Sequence, residues 1–206
     1  IADVVNIWYV EKMGTGWSEP KPVGAPINGS EFVSGPSATR TGTLYFCRKP
    51  KTGGEKVFRS QFLNGQYMEP EMLPDNVNCM PDIFHAVVSP DESYLIVPVA
   101  GRKDALDGRI NYYVSFRDGK GNWSDLINLG KAVNNGKNSA GPSVSADGKF
   151  FFFEAYPDFK WAEYHEKRHN YEDIKKFALT QPSLYKTDIF WVSAKIIKEL
   201  KPKELE

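Results

Sequence analysis

Cysteine is nearly absent from this 206-residue chain: Cys47 and Cys79 are the only two, too few for a disulfide scaffold. No stretch approaches the run of about 18 apolar residues that a membrane-spanning helix requires. Net charge is missing as well. Twenty-six basic side chains balance 26 acidic ones, which argues against a nucleic-acid binder working by phosphate neutralisation. Unbroken 3.6-residue periodicity is lacking over most of the chain, so long amphipathic helices are not expected. There is no Ser/His/Asp ordering, and no glycine loop of the phosphate-cradling kind. The chain opens at Ile1 with neither Met nor a signal peptide, which reads as processing or truncation.

What is present is globular and aromatic. Hydrophobic residues at 41% and charged residues at 25% exclude a disordered chain, and the length suits one domain or two small ones. Five Trp, ten Tyr and thirteen Phe alternate with 17 Gly and 14 Pro. Aromatics between frequent Gly and Pro breaks predict short strands joined by tight turns, an all-β chain.

Self-similarity fixes the architecture further. Gly35-Pro36-Ser37 and Gly141-Pro142-Ser143 each lead into a polar turn and then an apolar run, Leu44 to Cys47 and Phe150 to Phe153. A third copy starts at His85 and runs through Ser89-Pro90-Asp91 into Tyr94 to Val97, so the starts lie 50 and 56 residues apart. A second block keeps the same offsets: Trp17-Ser18-Glu19-Pro20, Tyr67-Met68-Glu69-Pro70 and Trp123-Ser124-Asp125-Leu126 are followed by Asn28, Asn78 and Asn134. Two blocks agreeing on both offsets establish a repeat.

Each unit reads as four short strands. The first leads into the turn, as at Ser143 to Ser145, and the apolar run is the second. Ile7 to Val10, Val57 to Arg59, Tyr112 to Val114 and Ile189 to Val192 supply the third, and the fourth follows the Trp-Ser-Glu-Pro block. Four-stranded units of this length are blades of a β-propeller. The expected division of the single domain is a part-blade 1–31, blades 32–80 and 81–137, and a last blade 138–206 carrying an insertion at 154–187. Because the first unit lacks its inner strands, either upstream sequence or another chain is expected to complete a ring of five to seven blades. An open blade edge is an expected place of association.

The pieces Pro142 to Phe153, Asp188 to Val192, Trp17 to Pro20 and Asn128-Leu129-Gly130 through Val133-Asn134 together resemble the WD40-like (PD40) repeat of TolB-like β-propellers. The resemblance implies a rigid scaffold that binds a protein, small-molecule or carbohydrate ligand at one face, in a bacterial protein exported to the periplasm or beyond. Arg40-Thr41-Gly42 and Glu92 depart from the Pro-Asp-Gly turn and read as drifted turns. The Ser-x-Asp-x-Gly-x-Thr-Trp box of sialidase propellers is absent.

Candidate chemistry is sparse. His165-Glu166-Lys167-Arg168-His169 matches H-E-x-x-H, which on a helix aims two imidazoles at one zinc with the Glu as general base. Its charged surroundings favour a solvated segment on the rim, with zinc hydrolysis as the competing reading. Asn170 to Leu179 reads as a short helix capped by Asn170, with Ile174, Phe177 and Ala178 facing the sheets. It is either a lid or an insertion packed on its own blade.

Propeller lyases resembling this chain place histidine and metal chemistry at the channel, and His85 alone occupies such a position. Trp17, Tyr67 and Trp123 could stack on a sugar or a cation, but their recurrence favours packing between blades. Asp91 and Asp147 could ligate calcium or act as acids, but their place favours a turn role. Cys47 and Cys79 either pair or remain free thiols. The tail from Lys195, with Ile196, Ile197 and Leu200, is a terminal strand or a short docked helix. No catalytic, cofactor-binding or metal-ligating residue is assigned. The expected function is a non-catalytic binding scaffold, and the alternative is a metal-dependent enzyme using His165, Glu166 and His169, or a lyase using His85.

Overall fold

The computed structural model describes residues 5–106, 110–134, 141–155, 169–180 and 188–205, and these are predominantly β. No helix among them is long and apolar enough to cross a membrane. Strands β1 (Trp8–Tyr9), β2 (Lys12–Met13), β3 (Gly16–Trp17) and β4 (Lys21–Pro22) form two antiparallel pairs, β1 with β4 and β2 with β3.

The second unit contains β5 (Phe32–Ala38), β6 (Leu44–Lys49), β7 (Lys56–Ser60), the hairpin β8 (Phe62–Leu63)–β9 (Gln66–Tyr67), and β10 (Glu71–Met72). Its sheet has the order β10-β7-β6-β5. The third unit repeats that meander as β11 (Val87–Val88), β12 (Tyr94–Val99), β13 (Asn111–Phe116) and β14 (Ile127–Asn128). The fourth is three-stranded: β15 (Ser143–Val144), β16 (Phe150–Ala155) and β17 (Asp188–Ser193). Two four-stranded antiparallel sheets thus lie in chain order among smaller antiparallel ones.

Alternation along the strands sends successive side chains to opposite faces, and each face meets the next sheet. Ile7 and Ile27 pack against Val33, Leu44 and Phe46 of the second unit. Tyr45, Cys47 and Val57, on that sheet's other face, pack against Leu95, Val97 and Tyr113. Ile96, Tyr112 and Val114 in turn meet Phe151, Phe153 and Ala155.

The series ends abruptly. Phe152 pairs with Trp191 at the register where Ile96 pairs with Val114 one unit earlier, yet Trp191 is 62% exposed. At the opposite end Trp8 and Trp17 are exposed too.

Local chemistry explains the turns. Gly42 N donates to Thr39 O at 3.1 Å, Glu92 N to Ser89 O at 2.9 Å and Gly148 N to Ser145 O at 2.8 Å. The last residue of each has positive φ: +87° at Gly42, +61° at Glu92 and +70° at Gly148. The turns expected to have drifted therefore differ in residues but keep one backbone geometry. Asp91 Oδ1 accepts from Ser93 N, and Asp147 Oδ1 from Lys149 N, as local turn bonds.

Helix α1 (Tyr171–Thr180) begins with a reciprocal cap: Asp173 N donates to Asn170 Oδ1 and Asn170 N to Asp173 Oδ2. Ile174, expected to face the sheets, is instead 49% exposed. The side chains of Phe177 and Ala178 lie outside the described residues. The tail forms a short helix, α2 (Lys195–Lys198), rather than a fourth strand, and buries Ile197 against the last sheet.

Candidate functional site

The first strands of the three larger sheets, β5, β11 and β15, lie side by side and line a groove of about 550 Å³. It is built from the G-P-S repeat itself. Gly35, His85 and Gly141 stand at equivalent places with φ of +57°, +52° and +134°. Two of the three use glycine, which enters that region freely, whereas His85 holds it against its own Cβ. A side chain at Gly35 would press on His85, whose Cα lies 3.2 Å from an added Cβ.

Hydrogen bonds tie the strands across the sheets. Val88 N donates to Ser37 Oγ at 3.0 Å, and Arg40 N donates to Pro90 O at 2.8 Å. The Arg40 side chain reaches further, its Nη2 donating to Ala146 O at 3.3 Å. Arg40 of the second unit thus touches the turns of both the third and the fourth. Nothing in its local sequence announced this, because the contact spans 106 residues.

A second polar cluster joins the middle sheets. Glu92 accepts from Tyr45 Oη at 2.6 Å, Arg59 Nε at 2.9 Å and Arg117 Nη1 at 2.6 Å, while Arg59 Nη1 also donates to Glu71 at 2.6 Å. Burial and then the Glu92 carboxylate push the Tyr45 phenol far above its ordinary pKa. Arg117 lies over the Trp123 ring, 5.9 Å from its centroid, and Tyr45 meets that ring edge-on at 6.0 Å. A cavity of about 420 Å³ opens beside Arg59, Arg117 and Trp123. The sequence marked this place only as a glycine replaced by glutamate.

Of the repeated aromatics, Trp123 is 8% exposed and packs between sheets, and Tyr67 packs against the cluster of Ile7 and Val33. Trp17 departs from the packing expectation: it is 67% exposed, with no further sheet against it among the described residues. Cys47 and Cys79 are free thiols rather than a pair. Cys47 is buried, which pushes its thiol up to about 12, and Cys79 accepts from Arg102 Nη1 at 3.4 Å. His165 and Glu166 lie outside the described residues, and His169 directly precedes the α1 cap. Among the described residues no three His, Cys, Asp or Glu side chains come together as a metal site. His85 lines the groove, and among the described residues no hydrogen bond joins its ring to an acid or a base there.

The chain matches no family model and no curated protein.

Proposed function

We propose that the chain is an arc of a TolB-like β-propeller and acts as a non-catalytic binding module of an exported bacterial protein, in the periplasm or outside the cell. The observation that carries this reading is the groove: three equivalent first strands converge on a concave surface of about 550 Å³, a size that suits a small ligand or a short segment of a partner. Sheets stacked face to face in chain order, with their first strands adjacent, support radial blades. Uncovered apolar faces at both ends of the stack are what an open arc leaves.

Blocking the groove tests this reading. Ala38→Trp and Ser143→Trp place bulk at exposed positions on two of its walls. Both are expected to abolish ligand binding while leaving the circular dichroism spectrum and melting temperature unchanged. Metal analysis tests the enzyme alternative. Stoichiometric zinc, lost in His165→Ala and His169→Ala, would replace the binding module with a hydrolase.

A further inference from the structure

We infer that the groove recognises an organic carboxylate, gripped by Arg40 at one end and hydrogen-bonded by His85 at the other. This rests on the groove being the binding site, and it names the ligand class. Among the described residues that line the groove none is an aspartate or glutamate and Arg40 is the one fixed charge, while the Glu154 carboxylate stands against Gly141 at its edge. Pro36, Ala38, Val87, Pro142 and Val144 make the rest largely apolar. A fixed positive charge set among low-dielectric walls attracts anions.

Arg40 is held ready and left unspent. Its backbone N–H is fixed on Pro90 O, and its guanidinium makes a single bond, from Nη2 to Ala146 O. Among the described residues Nε and Nη1 have no hydrogen-bond partner, and no carboxylate forms an ion pair with Arg40. Asp91 and Asp147 share a small hollow with Arg40, but neither forms an ion pair with it, and both carboxylates are tied into their own turns. Asp91 Oδ1 takes Ser93 N and Oγ; Asp147 takes Ser145 Oγ and Lys149 N on one oxygen and Lys149 Nζ on the other. One Nη2 hydrogen serves Ala146 O, so its other hydrogen still forms an open edge of the guanidinium with either Nε or Nη1, and such an edge matches the two oxygens of a carboxylate.

His85 is the second and independent observation. The two equivalent positions are glycines, yet here a histidine keeps positive φ at an energetic cost glycine does not carry. Its exposed ring meets Phe84 edge-on, and its nitrogens hydrogen-bond to no described residue. Strain held at an exposed, unpartnered imidazole is accounted for by a ligand that uses it.

Calorimetric titration of the full chain with two acid–neutral pairs tests the inference. The first pair is N-acetyl-Pro-Val and its C-terminal amide; the second is digalacturonate and digalactose. The acid of one pair is expected to bind at least tenfold more tightly than its neutral partner, and the responding pair shows whether a peptide terminus or a sugar acid is the source. Arg40→Gln should bring that ratio close to one. His85→Gly should weaken the acid several-fold while the melting temperature holds or rises, because the substitution relieves the backbone.

Equal affinities within both pairs, lost in Ala38→Trp, would overturn the carboxylate and leave the binding groove standing. Silence from all four probes would overturn the carboxylate too. Acid binding that persists in both Ala38→Trp and Ser143→Trp would overturn the groove itself.

Discussion

Asn78 closes a two-way hydrogen-bonded pair with the backbone of Val57: Val57 N donates to Oδ1 at 2.9 Å, and Nδ2 donates to Val57 O at 3.1 Å. The same pairing joins Asn28 to Ile7, at 2.9 and 2.8 Å, and Asn134 to Tyr112, at 2.8 and 2.9 Å. A primary amide carries donor and acceptor in the spacing of a peptide group, so each side chain serves as a one-residue rung beside the third strand. The rung sits where the fourth strand has already ended. It also fixes the loop that carries the chain to the next unit, since Asn78 Nδ2 bonds Leu73 O at 2.8 Å.

Asn78→Ala leaves the buried Val57 N–H unpaired and is expected to cost about 1–3 kcal/mol, the penalty of an unsatisfied buried donor. Asn78→Asp keeps the acceptor but sets a charge against Val57 O and Leu73 O, and should cost at least as much. Urea unfolding checks both: the midpoint should fall with an unchanged slope. Asn28→Ala should cost less, because its pair lies at the open end of the stack.

Glu92 holds two cations and a phenol together while occupying a backbone conformation that its equivalents Gly42 and Gly148 adopt freely. Glu92→Gln leaves Arg117 without its counter-charge and Arg59 with Glu71 alone at a largely buried site, and should destabilise by about 2–4 kcal/mol. Glu92→Gly loses the same bonds but recovers roughly 1 kcal/mol of backbone strain. Glycine should therefore melt above glutamine and below wild type. A glycine variant as stable as wild type would show that the charge cluster stabilises nothing.

Cys47 is buried with its thiol raised to about 12, so it should resist iodoacetamide in the native protein and react on unfolding. The folded state binds this proton more tightly than the unfolded chain does. The stability linked to it is accordingly whole below the ordinary thiol value near 9, and is lost as pH rises from there toward 12. Cys47→Ala should flatten that alkaline limb in thermal melts recorded between pH 8 and 11.

The open ends of the stack carry Trp8 and Trp17 on one side and Phe150, Ile189 and Trp191 on the other. In each internal interface a face of the second kind covers a face of the first. Copies of the chain should therefore associate end to end as concentration rises. Light scattering on a size-exclusion column is expected to show the mass falling to one chain for Trp191→Asp or Trp8→Asp. Mass independent of concentration in wild type would exclude the association.

The strands and their order were legible because they depend on local pattern. Leu44 to Cys47, Tyr94 to Val97 and Phe150 to Phe153 are apolar runs bounded by turn residues, and each became the second strand of its sheet. Trp17 was misjudged for a reason outside its own segment. A packing residue needs a sheet beyond it, and nothing near Trp17 tells whether one is there. Ile174 fell to the same cause: a helix pattern gives a face without giving what that face meets.

The sequence alone determined a predominantly β chain of short antiparallel strands, and the glycines and turn residues that their hairpins require. Periodicity in side chains and φ preferences act over a few residues, so one chain read once suffices for them. Only the tertiary structure decided that Arg40 reaches Ala146, that Glu92 gathers Arg59, Arg117 and Tyr45, and that the three asparagines act as rungs. Those contacts join residues 21 to 106 positions apart. They form because stacked sheets bring distant turns to one place, where a buried or partly buried polar group must find whichever partner the packing delivers.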